Sequence, residues 1–174
     1  MSRLHRIAAW YLFVSLLAVA TPASAQNVAD NYSPVTEEML VEPPAEDWAM
    51  WRRTYGHWGH SPLDQINTGN VGSLRLAWAW TMGEGLQETT PLVHDGMMFL
   101  VQACDFVEAL DVRDGTRIWE YQRERMEHPA NLACANRNGV LYGNKLFIAT
   151  HDAHIVALDA RTGEVTWDVA VGDW

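Results

Sequence analysis

Basic side chains are scarce in this sequence. Lysine occurs once, at Lys145, and 12 Lys and Arg stand against 22 Asp and Glu for a formal net charge of −10. A surface of that sign repels phosphate backbones and anionic lipid, so nucleic acid and membrane surfaces are poor partners. Cysteine occurs only at Cys104 and Cys134. One disulfide is therefore possible, two separately buried thiols are the simpler reading, and spacing alone does not decide between them. No CxxCH haem site, P-loop or GxGxxG fingerprint is present, which removes a fused cytochrome and the common nucleotide folds within this stretch. Beyond the first 20 residues no apolar run approaches the roughly 18–20 residues of a membrane span, and no segment carries helical periodicity.

What is present begins with an export signal. Arg3 and Arg6 precede an apolar run over residues 7–20 and a small-residue site, Ala23-Ser24-Ala25, the layout of a secretory leader with cleavage expected after Ala25. Its removal takes two Arg from the 12 basic residues, leaving ten against 22 acidic ones and a charge of −12. Gln26 follows the cleavage site, where a lipoprotein would need Cys. Residues 26–46 are polar, acidic and Pro-bearing ("SPVTEEMLVEPPAED") and read as an extended arm. A compact domain is expected over residues 47–174.

That domain opens on a stretch crowded with Trp48, Trp51, Trp58, Trp78 and Trp80 among Gly, Pro and Asn, read as packed loops ending in a strand ("LRLAWAW"). From Pro91 onward, short alternating runs are separated by Asp-Gly, Gly-Asn and Thr-Gly turns, the pattern of β-strands five to seven residues long. Two runs are nearly the same phrase: "VEALDVRDGTRIWEY" and "IVALDARTGEVTWDV". Residues 95–120 align with 143–168 without a gap, and Phe99/Phe147, Asp111/Asp159, Gly115/Gly163 and Trp119/Trp167 coincide. A four-stranded unit recurring at this period is the mark of a β-propeller blade. In each unit the Asp of "ALD" can accept turn amides, the Gly four residues on can supply a positive φ, and the Trp can wedge between blades. Trp78 lies 41 residues before Trp119 and closes an earlier, degenerate unit. The expected fold is all-β: two to three blades of a partial propeller, fewer than the four to eight that close a ring.

The "ALD–TG–W" phrases resemble the tryptophan-docking motif of the eight-bladed quinoprotein dehydrogenases, which bind pyrroloquinoline quinone (PQQ). "WRRTYGHWGHSPLDQINTGNVGSLRLAWAW" resembles the leading segment of their methanol/ethanol dehydrogenase branch. The resemblance covers residues 48–173. It implies a periplasmic alcohol dehydrogenase that oxidises alcohols to carbonyls and passes electrons to cytochrome c or a quinone. It also implies two cofactor contacts, Glu88 in "GLQETTPLVHDG" and Arg137 in "NLACANRNGVLYG". PQQ carries three carboxylates and an ortho-quinone. A guanidinium fork clamps carboxylates bidentately, and a carboxylate can accept from the ring N–H. Taken without the resemblance, Glu88 reads as a solvated residue before a strand and Arg137 as one arm of a surface ion pair. Asn136 and Asn138 read as turn formers.

The sequence departs from the family at three positions. Asn131 and Leu132 stand where many members carry two adjacent, disulfide-bonded cysteines, and Asn138 replaces a Gly. The family's catalytic aspartate and its Ca2+ or lanthanide ligands belong to later blades and match nothing before Trp174, so no catalytic or metal residue is assigned. The 174-residue chain is expected to be an inactive amino-terminal part of such an enzyme. The pairs His57/His60 and His151/His154 are weak metal candidates, the second because residues i and i+3 of a strand face opposite ways. The alternative to an enzyme lineage is a cofactor-free propeller serving as an interaction scaffold.

Overall fold

The structure, a computed structural model, describes residues 28–124, 134–137 and 139–173. The leader, Asn131, Leu132 and Asn138 lie outside them.

The eight alternating runs form eight strands: β1 (Leu92–His94), β2 (Met97–Val101), β3 (Phe106–Asp111), β4 (Arg117–Gln122), β5 (Gly139–Tyr142), β6 (Lys145–Ala149), β7 (His154–Asp159) and β8 (Val165–Ala170). They make two four-stranded antiparallel sheets, β1-β2-β3-β4 and β5-β6-β7-β8. The repeat is a repeat of register. Met97 pairs with Asp111 and Lys145 with Asp159, and a bulge falls between Ala109 and Leu110 in one sheet and between Ala157 and Leu158 in the other. Asp95 and Gly96 both have positive φ, 47° and 77°, as a two-residue type I′ hairpin demands.

Turn chemistry follows the expected roles. Asp111 Oδ1 accepts the Arg113 amide at 2.9 Å, and Asp159 Oδ1 accepts the amides of Arg161 and Thr162 at 2.9 and 3.1 Å. Gly115 and Gly163 both have φ of 76°. The indole of Trp119 lies on Gly163 and donates from Nε1 to the Ala160 carbonyl at 2.9 Å. Trp78 does the same one blade earlier, stacking on Gly115 and donating to the Val112 carbonyl at 3.0 Å. Strand alternation places Leu92, Met97, Phe99, Leu110, Leu141, Leu146 and Leu158 at full burial in the core, where apolar area leaves water.

Two expectations need correction. The segment around Trp78 and Trp80 runs without a β-ladder among the described residues, because it is held by indole docking and not by a paired strand. The arm is more ordered than its composition suggests. It forms a 3-10 turn at Val28–Asn31 and a helical turn, α1 (Glu37–Val41), whose N-cap Thr36 accepts from the Met39 amide. Val28, Ala29, Tyr32, Val35 and Leu40 are buried in the core cluster. Burial of these few apolar side chains outweighs a polar average that pattern reading sees first. Further on, Trp48 bridges Val93 of β1 and the Ala49 carbonyl accepts the Leu141 amide of β5 at 2.9 Å. This stretch therefore joins the first strands of both blades.

Candidate functional site

In each blade the first strand starts, the second-to-third loop turns and the fourth strand ends on one face. The face is tied across the blade boundary. Arg123, just past β4, donates to both Asp152 carboxylate oxygens at 2.9 and 2.8 Å and to Asp168 at 2.7 Å. These bonds hold Asp168 below the usual carboxylate range, and they do the same for Asp152 against the opposing effect of its burial. His154 Nδ1 lies 2.6 Å from Asp168.

Glu88 and Arg137 meet on this face. Glu88 sits four residues before β1 and Arg137 two residues before β5, and Arg137 Nη2 lies 2.8 Å from Glu88 Oε2. The strand starts are joined by the Thr90 amide donating to the Arg137 carbonyl at 2.9 Å. The loop carrying Glu88 is tethered by its neighbour: Gln87 donates to the Gly83 carbonyl and accepts from the Ala103 amide at 2.7 and 3.3 Å. Gln102, fully buried, accepts the Gly83 amide and donates to Glu108, which also receives Trp80 Nε1 at 3.0 Å. The Arg137 side chain is 72 % exposed and that of Glu88 33 %, so the ion pair is open to an incoming ligand. One residue on, the Thr89 hydroxyl is buried without a hydrogen-bond partner.

Sequence reading paired neither residue with the other, and it missed Asp105. This carboxylate is buried and accepts Asn136 Nδ2 at 2.9 Å and the His151 amide at 3.0 Å. Asn136 thus braces the segment rather than merely turning it. Asp105 aligns with Ala153 in the repeat, and both have φ of 56°. Cys104 and Cys134 form a disulfide with Cα atoms 4.6 Å apart. The simpler expectation of separate thiols is overturned by a loop that brings two sequence-distant residues together. His151 lies in the turn before β7 and not on a strand as expected, and its Nδ1 faces Asp105 while that of His154 faces Asp168. Among the described residues no group of three or more His, Cys, Asp or Glu could hold a metal, and no helix is long and apolar enough to cross a membrane.

PQQ, the group implied by the docking motif, needs cationic donors for its carboxylates and acceptors for its ring N–H. An exposed guanidinium 2.8 Å from a partly exposed carboxylate is such a set, and these two residues fit it.

Comparison with known proteins agrees with the resemblance. The sequence profile of "glucose/ethanol/alcohol dehydrogenase, beta-propeller domain" matches residues 48–170. The dehydrogenase subunit of the quinone-type alcohol dehydrogenase of Komagataeibacter europaeus is 36% identical over 158 residues, 86% of this chain and 21% of that protein. The 1-butanol dehydrogenase (quinone) of Thauera butanivorans is 41% identical over 119 residues, 66% of this chain and 19% of that protein. Among solved structures, a quinohemoprotein alcohol dehydrogenase of Pseudomonas putida superposes with a TM-score of 0.76 at 32% identity, covering 81% of this chain and 22% of the other. The chain spans about a fifth of the length of the curated relatives it matches.

Proposed function

The chain belongs to the PQQ β-propeller family of glucose, ethanol and alcohol dehydrogenases, and from that premise we propose that it supplies the amino-terminal cofactor-binding blades of a periplasmic alcohol dehydrogenase. The observation that carries this reading is the Glu88–Arg137 pair, held at 2.8 Å with the guanidinium open to solvent. Arg137 binds a cofactor carboxylate, and Glu88 accepts from the ring N–H or orients the guanidinium. When bound, PQQ supplies the two-electron oxidising power for converting an alcohol to a carbonyl. Glu88 and Arg137 orient it, and the docked indoles keep the two blades that carry them in register.

The base that removes the alcohol proton and the Ca2+ or lanthanide ligands belong to blades beyond those described. Base and Lewis acid must share one site, so the blades described are expected to turn over no alcohol by themselves. In the assembled enzyme, electrons leave to a cytochrome c or a quinone.

The test is a PQQ titration followed by quenching of tryptophan fluorescence, alongside alcohol-dependent dye reduction. Saturable binding weakened about tenfold or more by Arg137→Ala is expected, since a hydrogen bond between charged groups is worth about 1.5–3 kcal/mol. Dye reduction stays at background. Equal affinity in the variant, or no binding by the wild type, overturns the cofactor role and leaves a cofactor-free scaffold.

A further inference from the structure

Two consecutive residues with side chains adopt left-handed backbone in the loop between β2 and β3: Cys104 at φ 58° and Asp105 at φ 56°. That region is disfavoured for residues with a Cβ and persists only where surrounding contacts enforce it. The matching loop of the second blade has one such residue, Ala153. The additional one in the first blade is Cys104, the residue joined to Cys134.

Several of the contacts that enforce this loop cross the blade boundary. Cys104 is bonded to Cys134, and its amide donates to the Cys134 carbonyl at 2.9 Å. Gln122 Nε2 holds the Cys104 carbonyl at 3.0 Å. Asp105 accepts Asn136 Nδ2 at 2.9 Å, and Asn136 also donates to the Ala149 carbonyl at 3.0 Å. The His151 amide and Nδ1 lie 3.0 and 3.2 Å from the same carboxylate. Residues 134 and 136 are thus tied to adjacent residues of the first blade, three and one positions before Arg137.

We infer that the Cys104–Cys134 disulfide and Asp105 together form a positioning device that sets the Arg137 backbone against Glu88 across the blade boundary. The inference rests on the reading of Glu88 and Arg137 as the cofactor clamp. Arg137 has a long, exposed side chain with much rotamer freedom, and a loose backbone beneath it would add to the order lost on binding a ligand. A covalent bridge between the blades, plus one buried carboxylate, removes that looseness before a ligand arrives. Neither Cys104 nor Asp105 needs to touch the ligand.

The experiment is amide hydrogen exchange on the whole chain, read at Thr90, whose N–H is bonded to the Arg137 carbonyl, and at Val156 and Ala157 of β7 as an internal reference. The wild type is compared with Cys104→Ser/Cys134→Ser and with Asp105→Asn, which keeps the bridge and serves if the double variant does not fold. Thr90 exchanges about tenfold faster or more in both variants while the β7 amides keep their rates, and PQQ affinity falls on the order of tenfold for want of a pre-ordered backbone. Unchanged protection at Thr90, or acceleration spread evenly through β5–β8, overturns the inference and makes the bridge a general staple. A wild type that binds no PQQ sinks the cofactor reading, and the exchange rates still decide the positioning.

Discussion

Trp119 and Gly163 touch so closely that a Cβ on the glycine would sit 2.6 Å from the indole. The contact joins the fourth strand of one blade to the last turn of the next, and the φ of 76° at Gly163 is itself one that a side chain disfavours.

Gly163→Ala therefore meets both a steric and a backbone penalty, and we expect a loss of about 1–3 kcal/mol. Trp119→Ala, which also strips the bond to the Ala160 carbonyl, is expected to cost about 3–5 kcal/mol. Urea unfolding measures both. A Gly163→Ala variant as stable as wild type would show that the turn and the indole separate at no cost.

His94 is expected to make the chain less stable as pH rises past neutrality. Its ring is fully buried, with Nδ1 2.6 Å from Asp47 and Nε2 2.9 Å from the Ser33 carbonyl and 3.2 Å from Asp95, and Tyr32 packs edge-on against it. A carbonyl can only accept, so Nε2 carries its proton. Burial opposes the charge, but the Asp47 bond, the Ser33 bond and the two aspartates outweigh it and raise the pKa. A raised folded-state pKa contributes stability that is complete below the unfolded value of about 6.5 and is lost as pH climbs through the folded one. Melting temperature followed from pH 6 upward should fall, and His94→Gln should flatten that limb. A slope shared by the variant would assign it to other groups.

The Arg123 cluster has the opposite sign. Asp152 and Asp168 titrate below their ordinary range, so their contribution is present above about pH 3.9 and is lost as pH falls through the folded values. Arg123→Met is expected to flatten the acid limb of the stability curve between pH 5 and 2 and to leave the limb above neutrality alone. Urea midpoints across that range decide it.

The face of β8 and the residue just past it leave Val165, Trp167, Val169 and Val171 between 39 and 60% exposed, whereas the equivalent indole Trp119 is 8% exposed. An open apolar strand edge invites pairing with another chain. Light scattering after size-exclusion chromatography should show the isolated chain as dimers or aggregates, with Trp167→Ser shifting it toward monomer. A stable wild-type monomer that unfolds cooperatively refutes this expectation.

All eight strands and the Asp-to-amide turns were legible in the sequence, because period-two alternation and positive-φ turns are local properties written in neighbouring residues. The gap-free repeat extended this to register, since the same bulge recurs 48 residues on at Ala157 and Leu158. Glu88 and Arg137 were legible only through family resemblance. Asp105 and the Asp47–His94 pair passed unnoticed, each being one member of a contact whose other half lies 31 or 47 residues away.

By itself the sequence determined the fold class, the blade units and the turn chemistry of each, since these depend on chemistry within one turn or hairpin. Tertiary structure alone decided that Glu88 meets Arg137, that Cys104 bonds to Cys134 and that the polar arm buries Val28, Ala29, Tyr32, Val35 and Leu40 in the core. Those outcomes depend on how two blades and an arm close over shared apolar surface, a balance of long-range burial against chain entropy that no local pattern encodes.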